Sequence, residues 1–227
     1  MENDRRRTLK ALAAAGLLGP AGISGLIRDA LAKGEVPLKT GLQKIRGEVL
    51  VNHRVASEGQ LIKPGDTIVT GRGGEAIYVI GQDAYMQREL TTVSFGADAL
   101  QNLMRVVSGK ILSVFGKNAG RSIQTSTATI GIRGTGCYIE DEGTGAKART
   151  YFCLCYGSVD LVPKAAPHEA ESYTTTHHDK PMYVHNDMAM VKMMVPAEVI
   201  NHTDEELTLL EGLVGRVTPF YGTGKKY

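Results

Sequence analysis

The stretch Arg121-Ser-Ile-Gln-Thr-Ser-Thr-Ala-Thr-Ile-Gly-Ile-Arg-Gly-Thr-Gly-Cys137 constrains the fold more than any other part of the chain. Its β-prone run is interrupted by three glycines and an arginine, a pattern that predicts strand, sharp corner, strand. Neither the Walker spacing nor the G-x-S-x-G elbow is present, so it is not a phosphate loop or a nucleophile turn. The same rhythm recurs over residues 45–52, 67–70, 76–80, 91–95, 103–107, 110–115, 122–132, 136–140, 149–156 and 158–162. Lys63-Pro-Gly-Asp66, Gly71-Arg-Gly-Gly74 and Gly143-Thr-Gly145 supply corners between these runs, because proline presets φ and glycine permits positive φ. No helical segment of about 10–15 residues separates the runs, which disfavours βαβ units. The predicted fold is all-β, a sandwich or roll of short antiparallel strands.

One helix is predicted near 203–214. Thr203 and Glu206 form a capping box, Asp204 and Glu205 suit the positive helix end, and Leu207, Leu210 and Val214 make an apolar stripe ending at Gly215. It is expected to clasp the β body. The tail from Gly222 to Tyr227 is expected to be loose.

The first 32 residues have a different character. Arg5, Arg6 and Arg7 precede an uncharged run from Ala11 to Ile27, and Ala30-Leu31-Ala32 offers a small-x-small cleavage site, which predicts an export signal. Asp4-Arg-Arg-Arg-Thr-Leu-Lys10 resembles a twin-arginine (Tat) signal, with Thr8 where phenylalanine is usual. Such signals address a machinery that carries folded proteins; the alternative is a general secretory signal with a basic start. The 17-residue uncharged run is short for a membrane span of about 20 residues and is broken by a proline and four glycines. No stable span is therefore expected after cleavage, and the mature chain is expected in the periplasm.

Cleavage after Ala32 removes five basic and three acidic residues and leaves 21 of each sign. With that balance, no tryptophan and only four phenylalanines, nothing favours a nucleic-acid partner. The 42% hydrophobic content suffices for a real core.

Gly47-Glu-Val-Leu-Val-Asn52, Lys63-Pro-Gly-Asp-Thr-Ile-Val-Thr-Gly71, Gly109-Lys-Ile-Leu-Ser-Val114, Thr125 to Thr135 ending in Ile130-Gly-Ile-Arg-Gly-Thr135, and Tyr156-Gly-Ser-Val-Asp-Leu161 together resemble the FecR domain in order and spacing over residues 44–162. Residues 33–43 form a lead-in and 163–227 an extension with β segments and the helix. The resemblance implies a non-enzymatic extracytoplasmic module whose partner is an envelope protein, a glycan or a small ligand. FecR itself carries a cytoplasmic N-terminal domain and a transmembrane segment, whereas this chain has an export signal there, so direct sigma-factor control is not expected.

Within the motif, Thr125, Gly131, Arg133, Gly134 and Thr135 are expected to be structural. Arg133 is expected to brace the corner by bonding backbone carbonyls, the other reading being an anion or sugar ligand. The glycines are expected where a Cβ would clash.

If the 143–145 turn is centred on Gly145, Cys137 lies opposite Cys153, and Cys155 shares a face with Cys153. Two outcomes follow. One is a Cys137–Cys153 disulfide with Cys155 buried. The other is a thiolate site of Cys137, Cys153 and Cys155 joined by His177 and His178, with zinc, iron or copper as candidate ions. His177, His178, Met182, His185, Met188, Met190, Met193 and Met194 form a soft-ligand stretch suited to copper(I), or else strand residues filling a core. A Cys137 or Cys155 nucleophile assisted by His177 or His178 finds no matching local pattern, and no enzymatic activity is expected.

Overall fold

The structure, a computed structural model, describes residues 40–97, 103–117, 120–221 and 223. The expected export signal over residues 1–32, residues 33–39 of the lead-in and most of the 222–227 tail lie outside the described residues. Fourteen strands belong to one sheet: β1 Gly41–Arg46, β2 Val49–Val51, β3 Arg54–Val55, β4 Thr67–Thr70, β5 Glu75–Ile80, β6 Asp83–Gln87, β7 Thr91–Phe95, β8 Leu103–Val114, β9 Arg121–Gln124, β10 Ala128–Glu142, β11 Arg149–Pro163, β12 Glu171–Thr175, β13 Met182–His185 and β14 Met194–Pro196. The single α-helix among the described residues, α1, spans Asp204–Leu213.

The longest path runs β14-β13-β11-β10-β9-β8-β7-β4-β2-β3 and does not close into a barrel. β12 joins β11, and β1-β5-β6 branches from β8. Pairing is antiparallel except between β8 and β9, which are parallel. The all-β expectation with one C-terminal helix holds, but the strands are not all short. β8 has 12 residues and β10 and β11 have 15 each. Their internal glycines bend the chain instead of ending it: Gly109, Gly134 and Gly157 take φ of +91°, +59° and +99° inside continuous strands. The corner expected at 131–136 is therefore a bend within β10, and the reversal after β9 falls at residues 125–127.

The sheet curls around one core. Alternate residues of nearly every strand, among them Leu42, Ile68, Tyr78, Val106, Ile111, Ile130, Ile139, Phe152 and Leu161, point into it. The period of two sends the other residues of the central strands outward, where Ile77, Met86, Leu112, Tyr138 and Tyr151 would face water. The C-terminal extension covers them. Leu207, Leu209, Leu210 and Leu213 of α1, together with Phe220 and the 197–200 segment, complete this second core. The extension is thus continuous with the sheet on one side, through β12 and β13 on β11, and clasps its outer face on the other.

Helix α1 starts where the capping box predicts. The Thr203 hydroxyl accepts from Glu206 N, and the Glu206 carboxylate accepts from Thr203 N at 3.1 Å. The helix ends at Leu213 and is capped by Val214, followed by Gly215 at φ +75°. Glu211 accepts from the Tyr156 hydroxyl and from Arg216 Nε, while Arg216 also donates to the Gln82 carbonyl. Burial, more than the Arg216 charge opposing it, raises the Glu211 carboxyl above its usual range. Among the described residues no helix is long and apolar enough to cross a membrane.

Candidate metal centre

Between the outer face of β11 and the extension lies a buried cluster of Cys153, Cys155, His178 and His202. The period of two along β11 places both thiols on the outer face. Just after β12, the chain turns through residues 176–179, where the Asp179 carboxylate accepts from Thr176 N at 2.7 Å and His177 N at 3.2 Å. His178 takes a left-handed φ of +53°, and its N–H donates to the Cys155 carbonyl at 2.9 Å, so its ring is pinned beside the two thiols. His202 immediately precedes the helix cap and stacks on Tyr138 with centroids 4.7 Å apart.

One ligand atom from each residue lies within 4.8 Å of the other three. Cys153 Sγ is 3.5 Å from His178 Nδ1, and His178 Nδ1 is 3.1 Å from His202 Nε2. A tetrahedral zinc ion with bonds of about 2.3 Å to sulfur and about 2.05 Å to nitrogen separates sulfur from nitrogen by about 3.6 Å and nitrogen from nitrogen by about 3.3 Å. The pairs already have nearly that spacing. The far nitrogen of each ring is engaged as well. His202 Nδ1 donates to the Ile200 carbonyl at 2.6 Å, and His178 Nε2 bonds Asp204 Oδ1 at 3.1 Å. Those bonds fix the tautomers that aim both remaining lone pairs at the thiols, the usual outer-shell arrangement around a metal-bound imidazole.

The two thiols sit in different electrostatic surroundings. A hydrogen bond from Cys155, acting against burial and aided by the two imidazoles, holds Cys153 well below the usual thiol value, while burial pushes Cys155 well up. Burial pulls His178 down, but the Cys153 hydrogen bond and charge, followed by Asp204, outweigh it and leave its pKa raised. Cys153 Sγ and His178 Nδ1, hydrogen-bonded at 3.5 Å, share a proton where a cation would sit. Metal binding at such a site displaces the proton.

The cysteine geometry corrects the expectation from sequence. All three cysteines are free and buried. Cys137 pairs with Leu154 and faces the inner core, whereas Cys153 pairs with Tyr138 on the outer face, so the Cys137–Cys153 disulfide is not made. Glu142 pairs with Arg149, which leaves a six-residue loop, 143–148, whose centre falls between Gly145 and Ala146. The half-residue difference from a centre at Gly145 moves Cys137 to the opposite face. Cys137 therefore leaves the candidate ligand set. His177 leaves it too, because its ligand atom groups with those of His178 and Asp204, 2.9 Å from Asp204 Oδ2, and not with the thiols. His202 takes the fourth place. It lies 47 positions beyond Cys155 with no local partner in sequence, and the one signal that could have found it is its place directly before the Thr203 capping box.

Elsewhere, Arg133 does not brace a corner. Its side chain is 76% exposed and pairs with Asp160 Oδ2 at 3.4 Å. Thr125 and Thr135 are buried as a structural role requires: Thr125 Oγ1 accepts from Ala128 N at 2.9 Å and Thr150 Oγ1 at 2.8 Å, and the Thr135 carbonyl accepts from Phe115 N. Gly134 takes a φ that only glycine adopts easily, whereas Gly131 has no such constraint. The soft-ligand stretch spreads over the turn after β12, β13, β14 and the loop between them, with Met182 and Met193 buried but Met188 75% exposed. Met188 is therefore a loop residue, not a core-filling strand residue.

No protein-family model matches this chain, and no curated protein matches it. Solved structures similar to it include two crystal structures of a candidate anti-sigma factor from Parabacteroides distasonis. They share 9% and 10% identity, with TM-scores of 0.47 and 0.45, each covering 58% of this chain and 59% of the other. The matched part thus spans about three fifths of those proteins' length.

Proposed function

We propose that this chain is an exported, non-enzymatic β module of the FecR-like kind that holds one zinc ion between Cys153, Cys155, His178 and His202. The observation that carries the metal assignment is the convergence of two thiols and two imidazoles on one buried point, with the second nitrogen of each ring held by Ile200 or Asp204. Two thiolates neutralise a divalent ion, whereas copper(I) would leave a net negative charge in a buried site, which is unfavourable. Four protein ligands leave no open coordination position, so the ion is structural. It fastens the extension to β11, with His178 and His202 fixing the two ends of the segment between β12 and α1. The motif order over residues 44–162 and the all-β fold support the module reading, with an envelope protein, glycan or small ligand as partner in the periplasm.

Elemental analysis of protein purified from its native compartment tests the assignment. About one zinc per chain is expected, lost in Cys155→Ser and His202→Ala and retained in Cys137→Ser. Metal-free native protein, or a zinc content that Cys155→Ser leaves intact, would overturn it.

A further inference from the structure

The geometry points to a second, shallower cation position, formed by the His177 imidazole and the Asp204 carboxylate, through which a divalent ion passes into and out of the Cys2His2 centre. This inference rests on the reading of that centre as a zinc site. The four deep ligands give a cation no direct approach, since Cys153 and Cys155 are fully buried and the His178 side chain is only 2% exposed. The side chains of His177 and Asp204 are the shallowest members of the cluster, at 9% and 12%.

His177 Nε2 lies 3.0 and 2.9 Å from the two Asp204 oxygens, and His178 Nε2 lies 3.1 Å from Oδ1. Ligand atoms of His177, His178 and Asp204 all fall within 4.8 Å of one another, a second metal-sized cluster. The two clusters share His178 and use opposite edges of its ring: Nε2 faces Asp204 and His177, and Nδ1 faces Cys153 and His202. An ion held at the outer edge is thus one imidazole away from the thiols. The outer set supplies only nitrogen and oxygen donors and leaves coordination positions for water, so it binds a divalent ion more weakly than the sulfur-containing centre. That difference gives the inward direction. The Phe220 ring packs against His177 with centroids 4.6 Å apart and covers this entrance.

If His177 serves only as a steric cover, removing its nitrogens leaves exchange unchanged or faster; if it carries the ion, exchange slows. His177→Phe keeps the ring's bulk against Phe220 without a ligand atom. Zinc uptake by apo-protein and zinc release to a chelator are followed by rapid mixing in the full-length wild type and in this variant. Both rates are expected to fall by one common factor of about tenfold, which corresponds to about 1.4 kcal/mol added to the barrier. The equilibrium zinc affinity and the melting temperature of the zinc form stay unchanged, because a transit position alters the barrier and not the end states. Unchanged or faster exchange in His177→Phe would overturn the transit role while leaving the centre intact. A weakened affinity would also overturn it, placing His177 in support of the centre itself. Wild-type protein that takes up no zinc would overturn the centre and the transit position together.

Discussion

Gly131 and Gly136, five residues apart on β10, differ in why they are glycine. At Gly131 an added Cβ would meet Asp160 at an ordinary 3.6 Å, and the backbone is not left-handed. At Gly136 it would lie 2.5 Å from a ring carbon of Tyr156, whose hydroxyl is bonded to Glu211 of α1. A side chain at 136 would therefore displace Tyr156 and, through it, the helix contact. Gly131→Ala is expected to change stability by no more than about 0.5 kcal/mol. Gly136→Ala is expected to destabilise by about 1–3 kcal/mol, the scale of overpacking a rigid site. Denaturant titration of the two variants side by side checks both, and equal losses would show that the Tyr156 contact does not decide the matter. The motif glycines look alike in sequence because the ring that distinguishes them arrives from β11, on the partner strand.

At the scale of elements, what was legible in the sequence was local. The capping box of Thr203 and Glu206 places α1 within a residue of its observed bounds because all its bonds fall within one turn. The β rhythm was legible for the same reason. The long strands were not, since Gly109, Gly134 and Gly157 mark bends as readily as ends, and only the paired neighbour decides which. Hairpin parity was lost in the same way: Gly145 looks like the centre of a turn, but a 3-10 turn at Gly145–Lys147 fills an even-numbered loop, and Cys137 changes face. Asp83–Gln87 went unrecognised as a strand, although all five residues are buried between β5 and β8. In the candidate site, Cys153-x-Cys155 and His178 were visible, while His202 and Asp204 enter only once α1 docks. That docking is testable by parts. Thr203→Ala removes one cap bond at an exposed helix start and is expected to lose about 1 kcal/mol. Leu210→Ala empties a fully buried position in the outer core and is expected to lose about 2–5 kcal/mol. Equilibrium denaturation gives both values; a smaller loss for Leu210→Ala than for Thr203→Ala would mean that α1 is held by its cap and not by its apolar face.

For the whole molecule, the proposed zinc site would couple folding and metal loading to the expected export. Cys153 and Cys155 come from the long hairpin, His178 from the turn after β12, and His202 from the approach to α1, so the centre exists only when the extension has docked on the finished sheet. An unfolded chain presents two thiols and two distant imidazoles, and the binding free energy of a closed zinc site becomes folding free energy. A route that threads unfolded chain across the membrane would postpone loading until after export, whereas a route for folded proteins permits loading in the cytoplasm. The Arg5-Arg6 pair in the expected signal, outside the described residues, resembles the signal of the second route. Arg5→Lys combined with Arg6→Lys keeps the charge of the n-region and removes only the arginine pair. This variant is expected to accumulate uncleaved in the cytoplasm, folded by protease resistance and carrying about one zinc per chain. Fractionation followed by elemental analysis of the cytoplasmic pool checks the expectation. Normal export of the variant would show that the general secretory route carries the protein. Retention without zinc would show that the ion is acquired only outside, even though the chain folds before it crosses.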